Sequence, residues 1–406
     1  MKNFLLYIVL LFCLPVGISA QKKKFSYKFY GQVRGDLFYN SRANQETVDG
    51  LFYLYPKGHD YDSQGKDMNA SPNGSFYVLY SRLGIDLQGP DIGKAKTSAK
   101  IETDFRGSGS DFSILRIRHA YVNLDWGKSD VTIGQTWHPM FGSFNPQILN
   151  LSTGAPFTAF NRSPQIRYRF DTGKWQLTAA TVWQLQYLSA GPEGKQEDYL
   201  KNSCVPEIFL GIDFKKDSWV FGMAGELLSI VPRTSSTVNE ETFKVRERLT
   251  TLSLEGHVKY SDDLWFVAAK TFLASNLTQL SMLGGFAVSA INPVTGEQKY
   301  TTFRHSMTSL NIVYGKKWKP GIFIGYLKNL GTNKAIVGET YGVGQDVDQL
   351  FTVNAQFSYN LPHWKFGVEY TPSLAWFGTM DKTNGRIHDT YSVCNHRVLG
   401  VMIYMF

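Results

Sequence analysis

From Phe25 onward the chain alternates at period two. The odd positions read Phe25, Tyr27, Phe29, Gly31, Val33, Gly35, Leu37 and Tyr39, and the even ones Ser26, Lys28, Tyr30, Gln32, Arg34, Asp36, Phe38 and Asn40. Successive side chains of a strand point to opposite faces, so one face here is apolar and aromatic while the other carries most of the charges and amides. The contrast recurs. Ala95, Thr97, Ala99, Ile101 and Phe105 oppose Lys96, Lys100, Glu102, Asp104 and Arg106. Trp175, Leu177, Ala179, Thr181, Trp183, Leu185 and Tyr187 oppose Gln176, Thr178, Gln184 and Gln186. Leu252, Leu254, Val258 and Tyr260 oppose Ser253, Glu255, His257 and Lys259, and a fifth such stretch covers 351–360. A strand of this kind suits a wall between lipid and water.

Sixteen segments carry the pattern, near 25–40, 75–89, 94–107, 112–127, 130–138, 164–171, 174–188, 205–215, 217–231, 246–261, 263–274, 301–315, 318–329, 347–361, 363–379 and 390–406. Connections after even-numbered segments are tight, as at 90–93, 127–129, 171–173 and 315–317. Those after odd-numbered segments are mostly long, with the short link 107–111 as the exception. Two packed sheets would not keep that parity along a whole chain, whereas a barrel with one end in the periplasm and one outside does. The expected fold is all-β: a transmembrane antiparallel β-barrel of about 16 strands, in one domain over 21–406, with both termini on the periplasmic side and no plug. Aromatics at both ends of 175–187 would stand about 28 Å apart, close to the hydrocarbon thickness, and predict two interfacial girdles.

Composition and the first residues narrow the setting. Met1-Lys2-Asn3, an apolar run from Phe4 to Val16 and the small residues Gly17-Ile18-Ser19-Ala20 describe a secretory signal peptide over 1–20, cleaved after Ala20. Cys13 follows Phe12, where a lipoprotein signal needs a small residue. The chain has 28 Phe, 22 Tyr and 9 Trp, yet its mean hydropathy is slightly negative, as two alternating residue classes cancel. The formal charge of +8 does not cluster beyond Lys22-Lys23-Lys24, which excludes a nucleic-acid surface and leaves a solvated tether. Cys204 and Cys394 are too few for a disulfide framework and are expected as free thiols.

The last strand ends Gly400-Val401-Met402-Ile403-Tyr404-Met405-Phe406, which resembles the terminal signal read by the outer-membrane barrel-assembly machinery, with glycine one place off. Leu115-Arg116-Ile117-Arg118-His119-Ala120-Tyr121-Val122, Val131-Thr132-Ile133-Gly134-Gln135-Thr136-Trp137, Gly325-Tyr326-Leu327-Lys328-Asn329-Leu330-Gly331 and Gly367-Val368-Glu369-Tyr370 resemble the trimeric general-porin superfamily, in the branch found among Bacteroidetes. The likeness spans the mature chain. It implies a homotrimer in the bacterial outer membrane, in contact with lipid and lipopolysaccharide, with loop three folded inward to narrow each pore. The segment after strand five supports the inward loop independently, since from Pro139 to Asn161 it carries no charge. The competing reading is a loop that covers the barrel rim.

Arg34, Arg82, Arg116, Arg118, Arg167 and Arg169 fall on the polar face, with Glu102 and Asp104 among them. These eight are the expected pore-lining, selectivity-setting residues, because fixed guanidinium charge biases a pore toward anions. The alternative is that the arginines pair with Asp86, Glu102, Asp104 and Asp125 to hold the wall. General porins set acids on loop three against such arginines; here that loop has none. The stretch 60–67 is a weak match to a calcium loop, with Gln64 at position five and no closing acid, and is read as solvated. No histidine spacing chelates a metal and no catalytic constellation is legible, so neither cofactor nor enzyme activity is expected. The expected function is passive diffusion of small hydrophilic solutes with anion preference. Rival readings are a ligand-specific uptake channel for small anions such as dicarboxylates or phosphate, a barrel enzyme, and an adhesin.

Overall fold

The structure, a computed structural model, describes residues 25–47, 52–106, 114–142 and 144–406. The expected signal peptide at 1–20, the basic run Lys22-Lys23-Lys24 and the short link 107–111 lie outside the described residues.

Sixteen antiparallel staves form one closed sheet. They are β1 (Ser26–Asn40), β2 (Asn73–Tyr77, resuming as Arg82–Gln88), β3 (Lys96–Arg106), β4 (Ile114–Asp125), β5 (Ser129–Trp137) and β6 (Arg162–Asp171). Next come β7 (Trp175–Val182), β8 (Glu207–Lys216), β9 (Trp219–Ile230), β10 (Leu249–Ser261) and β11 (Trp265–Ser275). The last five are β12 (Arg304–Tyr314), β13 (Trp318–Gly331), β14 (Val347–Asn360), β15 (Trp364–Met380) and β16 (Ile387–Met405). Each stave pairs with its neighbours in sequence, and β1 closes on β16 from Gln32–Met405 to Asn40–Arg397. Closure leaves no open edge, which hydrocarbon would not tolerate because no water is there to satisfy backbone groups.

The expected alternation holds. On β1, Phe29, Val33, Leu37 and Tyr39 are exposed, whereas Arg34, Asp36, Phe38 and Asn40 are buried. At the tight-turn end, tryptophans exposed on the outer wall meet tilted aromatic rings of neighbouring staves: Trp175 and Phe214 at 4.9 Å, Trp219 and Tyr260 at 4.9 Å, Trp265 and Tyr314 at 4.7 Å, Trp318 and Tyr359 at 4.2 Å and Trp364 and Tyr404 at 4.7 Å. That is one interfacial girdle. Tyr187 does not extend a second, because β7 ends at Val182; the chain leaves the sheet there and Tyr187 turns inside, 5.7 Å from Phe160. The tight turns are capped by aspartates. Asp125 accepts from the Gly127 N–H at 2.6 Å and Asp171 from the Gly173 N–H at 2.7 Å, with both glycines at positive φ, +89° and +90°. Asp125 is thereby committed to its turn and not to an arginine.

The long connections carry small hairpins, such as Asn44–Thr47 with Phe52–Pro56 and Ser235–Val238 with Glu241–Lys244. In the first connection Asp67 binds Arg42 and His59 at 2.7 Å each and accepts from the Asp60 and Asn69 N–H groups. Desolvation pushes its carboxyl up, but the bonds from His59 and Arg42 outweigh this and hold it well below the usual carboxylate range. These partners occupy the carboxylate that a calcium ion would need.

The charge-free segment 139–161 meets partners on the buried faces of distant staves. Gln147 N–H donates to Asn311 Oδ1 at 2.7 Å, and Leu149 and Asn150 N–H donate to Glu369 Oε2 at 2.8 and 2.9 Å. Arg34 Nη2 donates to the Leu149 carbonyl at 2.7 Å and Lys270 Nζ to that of Met140 at 2.6 Å. Met140, Phe141, Phe157 and Phe160 join the main apolar cluster with Phe52 and Tyr80. Cys204, before β8, and Cys394, on β16, are unpaired, as expected.

The terminal Phe406 lies against Gly31, where an added Cβ would stand 2.6 Å from its ring and 2.7 Å from the Arg82 carbonyl oxygen. Gly31→Val is therefore expected to destabilise the closing seam by about 1–3 kcal/mol through overpacking. A lowered midpoint for heat-induced loss of the compact, fast-migrating form on gels would register it; an unchanged midpoint would reject the seam contact.

Candidate functional site

Two β-bulges build the site. Between β1 and β2 the pairs run Asp36–Tyr77 on one side and Gln32–Arg82 on the other, so four residues of β2 oppose three of β1. The slip turns Tyr80 to the buried face. Between β3 and β4, Glu102 pairs with His119 and Thr103 with Ile117, leaving Arg118 as the extra residue. Arg118 and its neighbour His119 are consequently both buried. A regular strand would send one of them to the lipid side.

Around Tyr80 the guanidiniums of Arg82, Arg116 and Arg118 stand 5.7, 5.6 and 5.9 Å from its ring centroid. Arg116 grips Asp104 in a two-point contact, Nε to Oδ1 and Nη2 to Oδ2 at 2.8 Å each. Arg118 bridges two acids, with Nε 2.6 Å from Glu102 Oε1 and Nη1 2.8 Å from Asp104 Oδ2. Tyr30 donates to the other Glu102 oxygen at 3.0 Å. Arg162, at the end of segment 139–161, is fully buried, with its guanidinium 4.6 Å from the Trp137 ring and 5.2 Å from that of Phe160. It donates to the Tyr187 hydroxyl at 3.4 Å, while its Nε and Nη1 have no partner among the described residues. Of the four guanidiniums, Arg116 and Arg118 thus hold the two carboxylates, and Arg82 and Arg162 make no ion pair among the described residues, which leaves an excess of two positive charges.

Of the expected residues, the structure brings together Arg82, Arg116, Arg118, Glu102 and Asp104. Arg34 stands apart, paired to Asp36 at 2.6 Å and to segment 139–161. Arg169 pairs with Asp130 at 2.9 Å. Half-buried Arg167 shares with Arg169, Trp137, Phe144 and His257 a cavity of about 230 Å³. Asp86 binds Lys100 rather than an arginine. Tyr80, His119, Trp137 and Arg162 escaped the sequence reading. A slipped phase was the available signal for Tyr80: exposed Phe76 and Val78 are even-numbered, and exposed Leu83 is odd.

Residues 15–264 match the model of the DcaP outer membrane protein family. The chain belongs to that family. It is a channel of the porin type in the bacterial outer membrane. No curated protein matches this DcaP-family chain significantly in sequence. The outer membrane channel DcaP of Acinetobacter baumannii superposes on it with a TM-score of 0.64 at 18% identity, over 95% of this chain and 99% of that one. The trimer form of OmpT from Vibrio cholerae gives 0.56 at 12% identity, over 95% and 100%. OmpF of Salmonella typhi, in complex with daunomycin, gives 0.55 at 11%, over 94% and 97%. At these identities the likeness is one of fold.

Asp104 is wholly buried and serves two guanidiniums. Asp104→Asn is expected to cost about 3–5 kcal/mol, since it leaves buried cations without their counter-charge. Asp263→Asn, which breaks the exposed pair with Lys316, is expected to leave stability unchanged. Denaturant unfolding of both variants checks the contrast, and equal midpoints would reject a structural role for Asp104.

Proposed function

We propose that this channel passes small hydrophilic solutes by passive diffusion and prefers anions. The observation that carries the reading is the cluster around Tyr80, in which four guanidiniums stand beside only two carboxylates, both held by Arg116 and Arg118. Arg82 and Arg167 are the arginines of the expected set that keep an unpartnered Nε among the described residues, and they are the charges a passing ion would feel most. Arg34, Arg116, Arg118 and Arg169, each paired to an acid, shape the wall and contribute less net field. The uncharged segment 139–161 is the constriction: its backbone is held by side chains from the inner faces of β1, β11, β12 and β15. At an effective dielectric constant of about 20–80, a unit charge roughly 5 Å from an ion contributes about 0.8–3 kcal/mol before screening. Salt at about 0.15 M screens over about 8 Å, so charges near the constriction dominate.

The cavity beside Arg167 and Arg169 favours a second reading, an uptake channel specific for small anions such as dicarboxylates or phosphate. The same proposal includes export through a signal peptide cleaved after Ala20, recognition by the assembly machinery through Phe406, contact with lipopolysaccharide, an origin among Bacteroidetes and a homotrimer. The trimer form of the Vibrio cholerae neighbour supports the last of these.

Arg82→Gln/Arg167→Gln is expected to move the reversal potential in a KCl gradient toward zero, with a several-fold drop in anion over cation permeability. A wild-type potential in the double variant would make these arginines structural. Conductance that saturates at low concentration of one anion would favour the specific channel over the general one. Native mass spectrometry in detergent is expected to give three copies, and a monomer would defeat the trimer.

A further inference from the structure

A second charged cluster meets the start of segment 139–161. His257 on β10 stands between two carboxylates, with Nε2 2.9 Å from Asp213 Oδ1 and Nδ1 3.2 Å from Glu255 Oε1. Its side chain is 6% exposed. Ionised carboxylates only accept, so both contacts are satisfied together when both ring nitrogens carry protons, as imidazolium. Asp213 lies on β8, beyond β9, and Gly222 of β9 leaves the gap through which the two meet. A Cβ added at Gly222 would collide with both Asp213 Oδ1 and His257 Nε2.

The buried ring of Phe144 lies against this imidazole, with the two centroids 4.0 Å apart. Lys259 Nζ and Lys270 Nζ stand 5.4 and 5.5 Å from the same ring, so Phe144 sits among three basic side chains. Lys270 also lies 2.7 Å from Glu255 Oε2 and donates to the Met140 carbonyl at 2.6 Å. Of the other charges nearby, Lys215 on β8 is bound to Asp171, and Arg169 on β6 to Asp130. Arg167 lines the cavity that His257 shares with Arg169. If His257 is neutral, one ring nitrogen turns its lone pair toward a carboxylate and the Phe144 ring loses a cation.

We propose that His257 is a proton-dependent latch: as imidazolium it pins Phe144, and with it the start of segment 139–161, to β8 and β10, and it releases them when it loses its proton. Imidazole is the side chain that changes charge near neutral pH. Its partners here, two carboxylates and an aromatic face, hold the charged ring and not the neutral one. The hold is therefore present at acidic pH and lost as pH rises. His138, at the root of the segment, acts in the opposite sense. Its Nδ1 accepts the Met140 N–H at 3.2 Å, which needs the unprotonated nitrogen, so that contact does not weaken as pH rises. The latch does not depend on the sign of the pore's selectivity, but its effect on conduction rests on the reading of segment 139–161 as the constriction.

Hydrogen exchange in the folded mature protein, corrected for the intrinsic rate at each pH, reads the latch directly. The Met140 and Phe141 amides are both bonded to His138, and Leu149 and Asn150 serve as the reference because Glu369 holds them. Relative to that reference, protection of Met140 and Phe141 is expected to fall about three- to tenfold between about pH 6 and about pH 9. His257→Gln and Phe144→Leu are each expected to show the lower protection at both pH values. Single-channel conductance is expected to rise over the same range in wild type and to stay constant in His257→Gln. Absence of the fall in wild type overturns the latch, and so does an equal fall in either folded variant. A fall in protection with unchanged conductance upholds the latch and overturns segment 139–161 as the constriction. If neither variant folds, wild type decides: a fall against the reference upholds the latch, and none overturns it.

Discussion

Everything in this molecule depends on the pairing of β1 with β16. In hydrocarbon an unpaired backbone N–H or C=O has no water to turn to, so a sheet can cross the membrane only by closing on itself. The seam from Gln32–Met405 to Asn40–Arg397 supplies that closure, and Phe406 extends it by exchanging backbone hydrogen bonds with Gly31. Once the cylinder is closed, each side chain is assigned by parity to lipid or to the interior. The exposed aromatics at the turn end and the buried charges inside are two consequences of one constraint.

Parity alone would give a uniform inner wall, and the two bulges break it where the chemistry is concentrated. One extra residue in β2 and one in β4 send Tyr80, Arg118 and His119 inward together. The cost is a locally interrupted ladder, offset by two-point and charge-assisted bonds to Asp104 and Glu102. Cations placed this closely repel, so the shared carboxylates and the Tyr80 ring are conditions for the cluster and not ornaments on it.

Segment 139–161 shows a complementary division of labour. It brings no charge of its own, and its backbone groups are satisfied by side chains of the wall, from Arg34 and Lys270 as donors and from Asn311 and Glu369 as acceptors. An unpaired backbone group in the interior would cost about 1–3 kcal/mol, so these wall residues fix the course of the segment. At its root the acids Glu207 and Glu226 converge on His138, whose backbone N–H donates to the Asn161 carbonyl at the segment's other end.

The strands, their number, the face most side chains take and the parity of tight and long connections were legible in the sequence, because period-two alternation and aspartate–glycine turns act over a few residues. So was the set of inner-wall arginines, since Arg82, Arg116, Arg118, Arg167 and Arg169 sit on polar faces wherever the strands begin. Only the tertiary structure decided which acid each arginine meets, that Asp125 caps a turn, that Tyr187 leaves the outer wall, and that Arg162 and Tyr80 join the cluster. It also brought His138 to Glu207, 69 residues further along the chain, and to Glu226 on the next stave. Those outcomes rest on register between strands and on single-residue bulges. One inserted residue reverses every following side chain, and no local pattern within one strand records which residue its neighbour sets opposite.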